Sequence, residues 1–271
     1  MKIVSLIASF LRGVVETSLG AFYFLLHGKP RLVIILSHTR SGSSLLANLI
    51  CSHPKVIGFG EAWIDYRTPV SILRLIGRTR LTTGSYKPSI NIYLDKCLHK
   101  QITDSLRPFR ICHPHFLFLT REPHATTKSI VAMCKTFDEN KGQETDYANT
   151  YLAGRLMDLK RISLLVPPDS ATHLSYESLI QNPDTTLARL TEVLQLASPL
   201  SSSYHVTKTV GVRRVGDFSD NIRSGQIVSS NATPSPSESL ATDLTIQAYR
   251  DTLAHLRQRF TSISTDKPLN Q

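Results

Sequence analysis

Two textures of apolar residues alternate along the chain. Leu32 to Leu36 is an unbroken β-branched and aliphatic run, as expected of a strand buried on both faces of a parallel sheet. The polar stretch His38-Thr-Arg-Ser-Gly-Ser-Ser44 follows. Leu45, Leu46, Leu49 and Ile50 then recur at helical spacing, and Pro54 closes that helix. The alternation repeats with a second buried strand at Phe116–Leu119, the turn Thr120-Arg-Glu-Pro123 and a helix through about Met133. A short third strand is expected at His173–Tyr176, and a helix over Thr185–Leu196 after the start signal Asn182-Pro-Asp184. A last amphipathic helix runs from about Leu240 to Phe260. Strands alternating with helices predict an α/β fold: one domain, a central parallel sheet flanked by helices, and right-handed crossovers.

The most apolar stretch, residues 1–30, stands outside that alternation. Arg12 and Glu16 interrupt it, leaving an uncharged run from Thr17 to Leu26, too short for a membrane span of about 20 residues. No small-residue cleavage site follows it cleanly, so a secretory signal fits poorly. Ile3, Ile7, Phe10 and Val14 share helical spacing while Ser5, Ser9, Arg12 and Glu16 lie off that face, which predicts an amphipathic helix. Packing on the protein's own core is the favoured role, with peripheral membrane contact through residues 1–27 the alternative. The expected organisation is thus a helix over 1–30, an α/β domain over 31–262 and a tail over 263–271. Ser201 to Ser230 has no clear period and is expected to form a long functional loop.

Composition narrows the classes. Of 271 residues, 41% are hydrophobic, enough for a sizeable core and against global disorder. The four cysteines, Cys51, Cys97, Cys112 and Cys134, form no CxxC pair; they read as reduced thiols, and a structural zinc site is not expected. A cytoplasmic protein, membrane-associated at most, is the expectation. Lys and Arg number 31 against 21 Asp and Glu, a formal charge of +10 that favours an anionic partner. Zinc-finger and helix-turn-helix signatures are absent and the aromatics do not interleave with the basic residues, so nucleic acid is not the expected partner.

The loop between the first strand and helix is a ready anion site. Backbone N–H groups at the helix start, the helix dipole, Gly42 for close approach and the hydroxyls of Ser41, Ser43 and Ser44 all favour a phosphate there. Arg40 adds a forked cation. The nucleoside-triphosphate pattern GxxxxGK[ST] is not met, because only one glycine is present and no lysine follows it. Thr39-Arg-Ser-Gly-Ser-Ser-Leu-Leu46 resembles instead the 5′-phosphosulfate loop of sulfotransferases that use 3′-phosphoadenosine-5′-phosphosulfate (PAPS). It is most similar to the carbohydrate and tyrosylprotein enzymes, in which arginine replaces lysine.

The resemblance runs on in chain order. Ser52-His-Pro-Lys-Val-Ile-Gly-Phe-Gly-Glu61 is similar to the segment that carries the catalytic carboxylate in that group, implying Glu61 as base. Phe116 to Arg121, with Ser129 eight residues after the arginine, resembles the 3′-phosphate element. The placement is physically sensible, since Arg121 would lie beyond the carboxyl end of a strand and Ser129 about two helical turns on. Ser175-Tyr-Glu-Ser-Leu179 resembles the segment whose tyrosine contacts adenine, implying that role for Tyr176. Lys96 lies where tyrosylprotein enzymes carry a catalytic lysine, although Cys97 and Leu98 replace their Asp-Pro. Phe218-Ser-Asp-Asn-Ile-Arg223 resembles a late PAPS-contacting loop, with Ser219 as its serine, and Arg223-Ser-Gly225 competes as an Arg-x-Gly phosphate clamp.

The resemblance implies in-line sulfuryl transfer from PAPS, as co-substrate and without metal, to a hydroxyl on a carbohydrate, lipid or other small molecule. Glu61 would take the proton, with His38 and His99 as competing bases; Arg40, Lys96 and Ser219 would stabilise the leaving phosphate. Residues 62–95, with Trp63, Arg78, Arg80 and Tyr86, and the loop after Ser201 would shape the acceptor pocket. The alternatives are an ATP-dependent small-molecule kinase and a non-catalytic basic binding module.

Overall fold

The computed structural model describes residues 2–206, 220–228 and 240–263. In chain order these form α1 (Lys2–His27), β1 (Arg31–Leu36), α2 (Ser43–Cys51), β2 (Val56–Ile57), α3 (Val70–Thr83), β3 (Ile92–Cys97), β4 (His113–Thr120), α4 (Pro123–Phe137), α5 (Glu144–Leu165), β5 (Ala171–Ser175), α6 (Tyr176–Gln181), α7 (Pro183–Val193), α8 (Asp220–Arg223), α9 (Asp243–Arg259) and β6 (Thr261–Ile263). The strands make a six-stranded sheet in the order β2-β3-β1-β4-β5-β6, every pair parallel.

The expected α/β architecture is the one observed. Along β1, Leu32, Ile34 and Leu36 point to one face, where they join Phe116, Phe118, Ile72, Leu75, Leu159 and Leu256. Val33 and Ile35 point to the other, among Leu46, Leu49, Leu117, Leu119 and Leu190. Helices cover both faces, which explains why the strand reads as a continuous apolar run. The chain leaves β1 toward β2 and β3 on one side and later reaches β4 on the other. The carboxyl end of β1 is therefore a point where the connection direction switches, the usual ligand position in open α/β sheets.

Several boundaries differ from expectation. The third strand ends at Ser175, because its hydroxyl accepts from Ser178 N–H and caps α6, so Tyr176 opens a helix instead. The helix expected over 185–196 starts at Pro183, suited to a first helical position, and ends at Val193. The last helix begins after Thr242, whose side chain accepts from Thr245 N–H. The expected tail begins too early, since Ile263 is buried in β6 beside β5.

Helix α1 packs on α3, but not through the expected face. Ile7, Phe10 and Val14 are exposed, whereas Glu16, Gly20 and Tyr23 are buried. The cause is a backbone contact: a Cβ at Gly20 would lie 1.8 Å from Leu73 O, and one at Gly77 would lie 1.7 Å from Glu16 O. Only glycine allows the two helices so close. Buried at that crossing, Glu16 accepts hydrogen bonds from Arg12, Arg74 and Arg78 at 2.8–3.0 Å. Burial alone would raise its pKa; these guanidiniums outweigh that and hold it low.

Candidate active site

The loop after β1 reaches α2 through two residues in the left-handed region, Arg40 at φ 65° and Gly42 at φ 88°. Gly42 caps α2, and its backbone is pressed against Tyr176, so a Cβ there would lie 2.2 Å from the ring. The loop is fixed from behind. Tyr151 of α5 accepts from Thr39 N–H at 2.9 Å, and Arg155 donates to the carbonyls of Ser37 and Cys97. Arg121 follows β4 directly; its Nη1 donates to Arg40 O at 2.9 Å, and its guanidinium lies 4.4 Å from the Tyr176 ring centre. Glu122 then caps α4, accepting from His124 and Ala125 N–H. On α4, Ser129 Oγ accepts from Arg40 Nε at 2.9 Å.

These contacts surround a cavity of about 200 Å³ lined by Arg40, Gly42, Arg121, Ser129 and Tyr176 together with Tyr204 and Ile222. Five residues singled out from distant parts of the sequence therefore share one wall. Ser41 Oγ and Arg121 Nε are buried and have no hydrogen-bond partner among the described residues. Ser43 is buried at the start of α2, and Ser44 accepts from Lys96 Nζ at 3.0 Å. Lys96 itself is almost fully buried on β3. Arg223 is exposed on α8, which supplies Asn221 and Ile222 to the cavity wall. Ser219 lies outside the described residues.

Glu61 lies beyond β2 and is 4% exposed. Burial pushes its carboxyl up to about 7 against the opposing pull of Lys96, and Asp95 adds to the rise. Its Oε1 has no hydrogen-bond partner among the described residues and stands 3.9 Å from His99 Nε2. His99 stacks on Trp63, ring centres 5.3 Å apart, and burial lowers its pKa. Two of the three bases weighed from sequence, Glu61 and His99, are thus neighbours in space. His38 is buried completely and pushed down to about 4, out of an acceptor's reach.

Glu61 opens onto a second cavity, about 320 Å³, lined also by Trp63, Arg74, Arg78 and, from α1, Ser9 and Arg12. Trp63 and Arg78, two of the residues expected to shape an acceptor pocket, line this cavity. Arg80 does not: it is fully buried, its guanidinium bound to the Tyr93 hydroxyl and the carbonyls of Ser85, Lys87 and Ile90 and stacked 3.7 Å from the Tyr23 ring. It ties the chain between α3 and β3, and Tyr86 serves the same segment by accepting from Tyr23 through its carbonyl. Tyr204, from the loop after Ser201, lines the first cavity, not the second.

Sequence reasoning missed Asp95. Fully buried, it accepts from Ala62 N–H at 2.8 Å, from its neighbour Lys96 N–H and from the Tyr66 hydroxyl at 2.6 Å. Burial pushes its carboxyl up to about 6, and these bonds restrain the rise. The signal was an adjacent acid and base, Asp95-Lys96, inside an otherwise apolar strand. Tyr151 and Arg155, which brace the loop, were missed as well. Among the described residues no group of three or more His, Cys, Asp or Glu is placed to hold a metal ion.

No protein-family model matches the chain, and no curated protein matches it by sequence. Solved structures do. The sulfotransferase domain from the curacin biosynthetic pathway superposes with a TM-score of 0.59 at 15% identity, covering 83% of this chain and 98% of that one. The sulfotransferase domain of the Synechococcus PCC 7002 olefin synthase gives 0.57 at 15% identity, covering 84% and 96%. The likeness extends over nearly the whole of both domains, and with the parallel sheet and the strand-loop-helix at its switch point it shows that this chain has the sulfotransferase fold.

Proposed function

We propose that the protein is a PAPS-dependent sulfotransferase acting on an acceptor hydroxyl. One observation carries the reading: Arg40, Gly42, Arg121, Ser129 and Tyr176, scattered over more than a hundred residues, line a single cavity at the carboxyl end of the sheet. The donor set suits a bisphosphorylated nucleotide. Gly42 offers a cradle that a side chain would fill, Ser41 Oγ and Arg121 Nε are buried donors, and the Tyr176 ring is a flat apolar surface beside them. Arg40, Gly42 and the serines would hold the 5′ side, and Arg121 with Ser129 the 3′ phosphate.

PAPS supplies the sulfuryl group and a phosphate leaving group. The chain's part is to position and to balance charge. In its ionised form Glu61, whose Oε1 has no hydrogen-bond partner among the described residues, accepts the proton of the acceptor hydroxyl as the acceptor oxygen bonds to sulfur and the sulfur–oxygen bond to phosphate breaks. Lys96 and Arg40 stabilise the negative charge that then collects on the phosphate oxygen. The test is thermal stability with 3′-phosphoadenosine-5′-phosphate (PAP), compared with AMP and with ATP plus magnesium. Stabilisation by PAP that Arg121→Ala abolishes supports the reading. Stabilisation only by ATP with magnesium would replace it with a kinase, and no response to any nucleotide would leave a binding module.

A further inference from the structure

The faces of α1 are reversed relative to an ordinary surface helix, which turns its apolar stripe inward. Here the inward face is Glu16, Gly20 and Tyr23, held to α3 by direct backbone contact. The outward face carries Phe10, Leu11, Val14, Phe22, Leu25 and Leu26, each between 46% and 84% exposed. These positions recur over four turns on one side of the helix, so they form a stripe, not a scatter of single residues.

Arginines lie beside that stripe. Glu16 is the only acidic residue of α1, and it is buried. Three arginines share it, leaving an excess of two positive charges at the flank, and the Arg12 and Arg74 side chains remain 67% and 40% exposed. An apolar groove of about 790 Å³ between α1 and the start of α3 is lined by Ile7, Phe10, Val14 and Val70, with Arg74 also on its wall. The groove shares Ser9 and Arg74 with the cavity that holds Glu61. No helix among the described residues is long and apolar enough to cross a membrane.

We propose that α1 is a docking helix for an anionic lipid surface, its outward stripe sunk among the acyl chains and Arg12 and Arg74 level with the headgroups. An apolar face with Arg74 on its groove wall and Arg12 exposed beside it matches that partner in both respects. Docking sets the Glu61 cavity beside the headgroups, because α1 forms one of its walls. The surface stands independently of the sulfotransfer reading.

The experiment is sedimentation of the full chain with vesicles of phosphatidylcholine alone or mixed with phosphatidylglycerol. The protein should pellet with the mixed vesicles, less with the neutral ones, and less again at high salt. The double variant Phe10→Glu, Leu25→Glu should bind at least about tenfold more weakly, while its thermal midpoint with and without PAP stays that of the parent. Failure to pellet with either vesicle, or unchanged binding by the double variant, overturns the proposal. So does a dimer in sedimentation velocity that the double variant dissolves, since that would assign the stripe to a second copy of the chain.

Discussion

Arg40 reaches from the loop after β1 to helix α4, where its Nε donates to Ser129 Oγ at 2.9 Å. Arg121 returns the link by donating to Arg40 O. The two elements proposed to bind the donor's phosphates are therefore already joined to each other. Ser129→Ala should weaken PAP binding by about tenfold or more, since hydrogen bonds to charged groups contribute about 1.5–3 kcal/mol. AMP, which lacks the 3′ phosphate, should lose less. Titration calorimetry with the two nucleotides separates these outcomes, and equal losses would contradict the assignment of Ser129.

Glu61→Gln keeps the size of the side chain and removes its basicity. Turnover should fall by about 10²–10⁴, while PAP affinity stays near that of the parent. If turnover survives in this variant and disappears in His99→Ala, the base is the histidine 3.9 Å away.

Burial raises Glu61 to about 7, and only the ionised form can take a proton. The sign follows directly. Below that value the folded protein holds the carboxyl protonated, so kcat/KM should fall about tenfold per pH unit on the acid side. The profile should level off above about pH 7. An acid limb at the ordinary carboxylate value, near 4.5, would mean that the site opens to water during turnover.

At Gly42 a side chain meets two obstacles, a φ of 88° and the Tyr176 ring 2.2 Å from the new Cβ. Gly42→Ala should lower stability by about 1 kcal/mol or more and abolish stabilisation by PAP. Urea melts with and without the nucleotide measure both. Full PAP response in this variant would show that the loop backbone does not cradle the phosphate.

The sequence revealed the elements whose pattern is pure. Leu32–Leu36 in β1 and Phe116–Leu119 in β4 are unbroken apolar runs, whereas the first three residues of β4, His113 to His115, carry no such signal. What escaped notice was contaminated by buried polar groups. Helix α5 buries Asn149, Arg155, Asp158 and Ser163 among its leucines, and its apolar period is lost as a result: Arg155 holds the carbonyls of Ser37 and Cys97, Asn149 the start of α9, and Ser163 accepts from Arg259. Arg80 and Glu16 obscured α3 and the inner face of α1 in the same way. β3 was hidden by Asp95 and Lys96, the residues that make it important to the site. The resemblance singled out Glu61 by its distance from Arg40 along the chain, but its nearness to His99 was not legible, since that contact joins two segments distant in the sequence.

Asp95 and Lys96 are neighbours on β3 and serve opposite faces of the sheet. One holds Ala62, next to Glu61; the other reaches Ser44, at the start of α2. Side chains alternate along a strand, so a slip of one residue would exchange their directions. The pairing of Ile35 with Lys96 therefore works as a single alignment pin for both halves of the site. Loosening β3 should disassemble them together, so that neither the Glu61 side nor the Ser44 side could stay aligned without the other.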